Sequence, residues 1–278
     1  MNSYYDPDYV SSHYDEYGEK EWLRFSNSIK SEVNLFIHNY YLKKYIQPNS
    51  KVLEIGAGPG RFTIELAKIG CSIGVVDISQ KQLNLNREKV SEAGFEKNVL
   101  WRKKLDIVDL SSIQESFDAI VIYGGPLSYI FDKITIALRN VFSLINQNGK
   151  ILFSVMSLQG TVHYFIKELF EDEVIKHGIE EMDRVNKTGN LTGEIASGHI
   201  CKLYSWNELE SIIAKFPCNI LAVSASNYLS NTRDDRLKEI RNNEYYWTKF
   251  LEWEIQYASD KGSVNNGSHI IVVLEKNY

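Results

Sequence analysis

The apolar positions of this chain change period along its length. Between Glu19 and Tyr45 they recur at Trp22, Phe25, Ile29, Val33, Phe36, Ile37, Tyr40 and Tyr41, the spacing of one long helix with a single buried stripe, which Pro48 ends. From Lys51 a different rhythm begins: VLEI, a glycine-rich turn and FTIELAKIG, SIGVVD, a helix from Ser79 to about Ala93, NVLWRKK, FDAIVIY, a helix across Ile130–Ile145, and KILFSVM after the turn Asn148-Gly149. Short, nearly continuous apolar runs separated by helices predict an α/β fold, a parallel sheet covered on both faces. After Met156 the rhythm lapses for about fifty residues, then resumes with a helix at Trp206–Phe216, the strand CNILAVSAS, an amphipathic helix over Arg233–Tyr257 and a closing strand, SHIIVVLEK. An interruption of that length exceeds an ordinary connection and marks a functional insertion, residues 157–205. The first eighteen residues are polar and Tyr-rich, with Asp6-Pro7 reading as a break in any early helix, so they are expected to form a mobile arm.

Composition narrows the functional classes. At 278 residues, 44% hydrophobic, the chain can bury a substantial core without metal or disulfide staples. Its formal net charge of −5 lacks the broad positive field that attracts a phosphate backbone, so a nucleic-acid partner is not expected. Cys71, Cys201 and Cys218 contain no C-x-x-C pair, which points to free thiols in a reducing compartment and away from a zinc site. The N-terminal MNSYYDPDYV has no basic-then-apolar layout, and no apolar run approaches the ~18 residues of a membrane span, so a cytoplasmic protein is expected.

The strongest chemical signal is Val52-Leu53-Glu54-Ile55-Gly56-Ala57-Gly58-Pro59-Gly60, where the first strand of the sheet turns into its helix. Glycines there bring backbone close to a ligand at the carboxyl edge of the sheet, beside the free N–H groups of a helix start. A dinucleotide site needs a third small residue for helix–strand packing, and Arg61 stands in its place, which counts against an NAD-dependent oxidoreductase. Glu54, two residues before Gly56, instead suits a ligand with a cationic end.

Glu54, Gly56, Gly58 and Gly60 resemble the first motif, E/D-x-G-x-G-x-G, of the class I S-adenosylmethionine-dependent methyltransferases, and the resemblance extends through the strand order over roughly residues 45 to 275. It implies a Rossmann-like, doubly wound, mostly parallel sheet with S-adenosyl-L-methionine as cofactor. It further implies that Asp77, ending the second strand, binds both ribose hydroxyls, with Ala57 and Ile78 alongside. Asp106 recognises adenine with Ile107, Asp109 being the competitor, while Tyr123-Gly124-Gly125-Pro126-Leu127 lines the methyl-transfer edge. The stretch Y-G-G-P-L-S-Y, through Tyr129, resembles bacterial small-molecule and natural-product methyltransferases, and departs from the N/D-P-P-Y/F motif of base-amine enzymes. No metal is expected, since the sulfonium supplies the electrophile and no acidic ligand ends the fourth strand.

The same resemblance makes residues 1–47 a lid and lead helix in front of a methyltransferase domain at 48–278, with Tyr14, Tyr17 and Trp22 placed to stack on a sulfonium or a substrate amine. Within the insertion, seven acids between Phe165 and Asp183 favour a cationic substrate if they face inward; otherwise they form a solvated helix face. His199 is the candidate general base, with Tyr14 beside it, and His163 is a weaker rival at the substrate. The expected activity is therefore methyl transfer to N, preferred, or O of a small molecule or modified peptide. A protein that binds the cofactor without turnover is the alternative.

Overall fold

The computed structural model describes residues 4–192, 199–232 and 237–277. Three helices precede the sheet: α1 (Pro7–Tyr17), α2 (Lys20–Leu23) and α3 (Ile29–Tyr45). The alternating part runs β1 (Lys51–Ile55), α4 (Arg61–Ile69), β2 (Ser72–Asp77), α5 (Gln80–Glu92), β3 (Val99–Lys104), β4 (Phe117–Ile122), α6 (Pro126–Tyr129), α7 (Ile134–Leu144) and β5 (Ile145–Met156). The insertion contains α8 (Leu158–Glu168), α9 (Val174–His177), α10 (Ile179–Thr188) and a two-stranded ribbon, β6 (Asn190–Leu191) with β7 (Cys201–Lys202). The chain then returns through α11 (Trp206–Ile213), β8 (Cys218–Ala225), α12 (Leu237–Arg241), α13 (Glu244–Ala258) and β9 (His269–Lys276).

The central sheet has the order β3-β2-β1-β4-β5-β9-β8. Its first five strands pair in parallel, and β9 runs antiparallel to both β5 and β8. Successive side chains on a strand face opposite ways, and the two cores follow that alternation. Leu53, Ile120, Ile122, Ile151 and Phe153 pack with α7 and α11 on one face, while Val52, Val121 and Leu152 pack with α3, α4 and α13 on the other. A smaller cluster of Val10, Tyr129, Val185, Leu191, Cys201 and Leu203 joins α1 to the insertion.

The architecture is the doubly wound, mostly parallel sheet that the alternation predicts, but element ends differ for identifiable reasons. Asp6-Pro7 starts a helix instead of breaking one: Pro7 occupies the first helical position, where its missing N–H is no loss, and the Asp6 carboxylate accepts from Asp8 and Tyr9 N–H. The lead helix is divided, because Ser28 Oγ accepts from Ser31 N–H and begins α3 afresh. The helix expected over Ile130–Ile145 starts as α7 only after a short 3-10 turn that includes Phe131 at φ 46°. In the C-terminal helical region, Asn243 caps α13 and separates it from α12; residues 233–236 lie outside the described set.

Asp6→Ala removes two capping bonds from α1 and costs that helix about 1 kcal/mol. Amide exchange should quicken across α1 while exchange in β1, β4 and β5 stays unchanged; uniform quickening would show that α1 is not independently stabilised.

Candidate functional site

Between β1 and α4 the chain reverses over residues 56–60, with Gly56, Gly58 and Gly60 at φ 68°, 52° and 96°. Side chains rarely adopt that region, and at Gly56 and Gly60 space excludes them too. A Cβ on Gly56 would stand 2.3 Å from Pro126 Cγ, and one on Gly60 3.1 Å from Asn86 Nδ2. Gly56 and Ala57 donate their N–H groups to the Val76 carbonyl at 2.8 and 3.2 Å, which fastens the turn to β2. At the end of β2 the Asp77 carboxylate accepts from Gly58 N–H and Ser79 N–H, both at 2.8 Å. Burial pushes the Asp77 carboxyl up to about 6, against the downward pull of those two bonds.

Glu54 faces the other way. It does not border the ligand side of the turn but lies beneath it, where Thr63 Oγ1 donates to its Oε2 at 2.5 Å and Asn86 Nδ2 donates to Thr63 at 2.8 Å. Arg102 Nε donates to Asn86 Oδ1 at 2.8 Å and its guanidinium grips Glu96 bidentately at 2.7 and 2.8 Å. This chain of bonds ties β1, α4, α5 and β3 together under the glycines. Strand alternation supplies the reason: Ile55, not Glu54, reaches the cleft above. Burial pushes the Glu54 carboxyl up to about 8, so at neutral pH it is mostly protonated. Gly60 and Ala57 likewise shape the turn from within and stay off the cleft wall.

A cleft partly open to solvent lies over the carboxyl ends of β1, β2, β3 and β4. Of the residues singled out in the sequence, it brings together Gly56, Gly58, Asp77, Ile78, Asp106, Ile107, Tyr123, Gly124, Tyr14 and Tyr129. Asp106 Oδ1 accepts from Val108 N–H at 2.9 Å and Oδ2 from the Tyr5 hydroxyl at 2.7 Å. Its competitor Asp109 is exposed and bonds Ser111 instead. The α1 side closes the cleft with Tyr5, Val10 and Tyr14, and is fastened by Asp15 accepting from Ser79 Oγ at 2.5 Å and by Gln82 donating to the Tyr14 and Gly18 carbonyls at 3.0 and 3.1 Å.

The residue most plainly missed is Arg24. Its guanidinium lines the cleft, pairs with Glu21 at 3.0 Å and donates to the Gly124 carbonyl at 3.3 Å, while its Nε is buried without a partner. Burial works against the charge, but Glu21 and the neighbouring tyrosines hold the guanidinium above its ordinary range. Helical spacing carried the signal: Glu21 and Arg24, three apart, share a face, and Trp22 points elsewhere. Trp22 packs instead under Arg61, whose Cζ lies 3.7 Å from its ring centroid.

Tyr14 meets Tyr129 edge to face at 5.5 Å, and burial raises both phenols well above their ordinary value, so Tyr14 serves as a neutral hydroxyl and not as a base. Tyr17 stacks on His13 at 6.0 Å beside the cleft. His199 lies behind Tyr129, with Nε2 3.3 Å from its hydroxyl, and burial, His13 and Arg24 lower its pKa. His163 is exposed on α8 and away from the cleft. Most acids of the insertion face solvent: Glu171, Asp172 and Glu180 are exposed, and Glu181 and Asp183 pair with Arg184 and Lys187, whereas Glu168 and Glu173 are half-buried, Glu173 beside His177 at 3.5 Å. Among the described residues no three His, Cys, Asp or Glu side chains could hold a metal ion, and no helix is long and apolar enough to cross a membrane.

Sheet order, glycine turn and the acidic end of β2 have the arrangement of the class I, Rossmann-like S-adenosylmethionine-dependent methyltransferases. Residues 52–149 match the model of the methyltransferase domain family. The chain is 23% identical over 169 residues to YqeM of Bacillus subtilis strain 168, a protein named as a methyltransferase, covering 60% of this chain and 65% of that one. It is 32% identical over 120 residues, 42% of this chain and 58% of the relative, to a Saccharolobus solfataricus protein named as a cobalt-precorrin-6B C(15)-methyltransferase. The chain thus spans less than two thirds of these relatives. A protein named for ribosomal RNA methylation is also matched, in Methanocaldococcus jannaschii. In fold, magnesium protoporphyrin IX methyltransferase from Synechocystis PCC 6803, solved with S-adenosylhomocysteine, superposes with a TM-score of 0.60 at 12% identity, over 98% of this chain and 99% of that one.

The cofactor of this class is S-adenosylmethionine, and the donor set fits it. Three carboxylate side chains border the cleft, Glu21, Asp77 and Asp106; Gly56 and Gly58 bring bare backbone to it, and a buried guanidinium nitrogen has no partner.

Glu54 keeps its proton to about 8 when folded against an ordinary 4.5, so the folded state binds the extra proton between those values. Its stabilising contribution is complete below 4.5 and is lost as pH rises through 8. Urea unfolding of wild type and Glu54→Gln should therefore show wild type losing stability relative to the variant from pH 6 to pH 8.5; parallel curves would mean that Glu54 is ionised throughout.

Proposed function

We propose that the protein transfers a methyl group from S-adenosylmethionine to N or O of a small molecule or modified peptide. The observation that carries this reading is the Asp77 carboxylate at the cleft, held by Gly58 and Ser79 N–H groups at 2.8 Å, which leaves acceptor lone pairs for a vicinal diol. Asp106 and Ile107 take the adenine. The glycine turn lies under the aminoacyl end, with the Gly124 carbonyl for its ammonium and Arg24 for its carboxylate. The bound cofactor supplies a methyl group made electrophilic by its sulfonium sulfur. The protein's part is to orient and to exclude water: Tyr5 and, on α1, Val10 and Tyr14 cover the cleft, and the Tyr14 and Tyr129 rings offer π faces to a cation.

Arg61, stacked on Trp22 where a dinucleotide fold needs a small residue, speaks against an NAD-dependent oxidoreductase. The net charge of −5 favours a small acceptor over nucleic acid. Most acids of the insertion face solvent and add little to the case for an amine, which then rests on the Tyr14 and Tyr129 rings.

Incubation with methyl-labelled S-adenosylmethionine and cell extract should place label in the small-molecule fraction. Label confined to protein-bound cofactor would instead favour the non-catalytic alternative. Asp77→Asn should weaken S-adenosylhomocysteine binding by about tenfold or more, since hydrogen bonds to a charged group contribute roughly 1.5–3 kcal/mol. Unchanged affinity by calorimetry would remove Asp77 from the site.

A further inference from the structure

Behind the Tyr123 wall of the cleft lies a second group of polar side chains that the cofactor reading leaves unused. His38 on α3 is fully buried, and its Nδ1 is 2.8 Å from the Asn34 carbonyl. A carbonyl only accepts, so Nδ1 carries the proton and the neutral ring presents a bare lone pair at Nε2. That Nε2 is buried without a hydrogen-bond partner. So are the Tyr123 hydroxyl and both ring nitrogens of His269 at the start of β9. The rings are neighbours: His38 to Tyr123 is 4.6 Å edge to face, and His38 to His269 is 6.1 Å. His269 Nε2 also stands 3.6 Å from where a Cβ on Gly125 would lie, next to the Gly124 edge of the cleft.

Native interiors leave few polar atoms unpaired, and four in one place require a ligand or water. The group's chemistry selects among ligands. His38 Nε2 needs a hydrogen-bond donor. Burial first, then Arg24, keep the His38 ring below its ordinary range, at about 4, and burial, His38, Arg24 and Lys30 lower His269 further still. Both rings are therefore neutral, and the nearby cations repel an ammonium group. A carboxylate or phenolate has no proton to give to Nε2. The surrounding Phe62 and Tyr123 rings suit an apolar body.

We propose that His38, His269 and Tyr123 form the acceptor end of the site, where an uncharged hydroxyl on an aromatic or other apolar body donates to His38 Nε2. The proposal rests on the methyltransferase reading of the cleft and selects oxygen as the methylated atom: as the oxygen–methyl bond forms, the electron pair of the broken sulfur–methyl bond stays on sulfur and the hydroxyl proton passes to His38 Nε2. His38 and His269 touch the acceptor in this account, whereas His199 stands behind Tyr129.

Phenol, anisole and benzylammonium serve as probes, titrated by ligand-observed NMR against unloaded protein and against protein saturated with S-adenosylhomocysteine. Phenol should bind about tenfold or more tightly than anisole, which has no proton to donate, and benzylammonium should not bind. Phenol should also shift the His38 Nε2 resonance in long-range 1H–15N spectra. His38→Phe and His269→Asn should each weaken phenol about tenfold and leave S-adenosylhomocysteine affinity unchanged. Equal binding of phenol and anisole, or no phenol binding with an unmoved Nε2 resonance, would overturn the proposal and leave the cluster to structural water. Failure of wild type to bind S-adenosylhomocysteine bears on the cofactor reading alone, because the phenol comparison is still read on unloaded protein. If His38→Phe does not fold, His269→Asn and the wild-type resonance decide.

Discussion

The site depends on one constraint, the reversal of the chain over Gly56, Gly58 and Gly60, held from above and below by two buried carboxyl groups of opposite duty. Asp77 accepts the Gly58 N–H on the ligand side, and Glu54, through Thr63 and Asn86, braces the glycines from beneath. Their environments push both pKa values up, to about 6 and about 8, and so place them on different sides of neutrality. The group facing the cleft is ionised and can hold a diol. The group beneath is mostly neutral and shares a proton-rich network that is purely structural. One short segment thereby separates binding from bracing within two adjacent strands.

Everything above the sheet is organised around that turn. The segment that leads into α1 reaches Asp106 through Tyr5, and α1 reaches Ser79 through Asp15, so both acidic ends of the cleft are coupled to the same covering element. Arg24 brings a buried positive charge to the Gly124 carbonyl, opposite the carboxylates. A molecule with a diol at one end and a zwitterionic group at the other matches that charge order. Beyond Tyr123 the charged groups give way to neutral imidazoles, and the chemistry required of an acceptor changes accordingly.

The mostly parallel sheet and the glycine turn at its carboxyl edge were legible because they rest on local signals: apolar runs of strand length, closely spaced glycines, and an acid at a strand end. Other features depended on which way a side chain points. Glu54 carries the motif's acid but alternation sends it beneath the turn. Trp22 attracted attention by size, while Arg24, which caps the same short helix, reaches the cleft. Asp6-Pro7 breaks a chain as readily as it starts a helix, and only the Asp8 and Tyr9 N–H groups on the Asp6 carboxylate decide which. His38 and His269 lie far apart in sequence and meet only because α3 packs across the sheet in which β9 pairs with β5, so no spacing announces them. The acids of the insertion depended on neighbours such as Arg184 and Lys187 that turn them outward.

The central claim is that the cleft over β1 and β2 is an S-adenosylmethionine site. Calorimetric titration of the purified protein with S-adenosylhomocysteine, run beside NAD, tests it most directly. The account predicts binding of S-adenosylhomocysteine alone, with affinity falling as pH drops through about 6, where Asp77 gains its proton. Binding of NAD in its place, or of neither by folded protein, would contradict it.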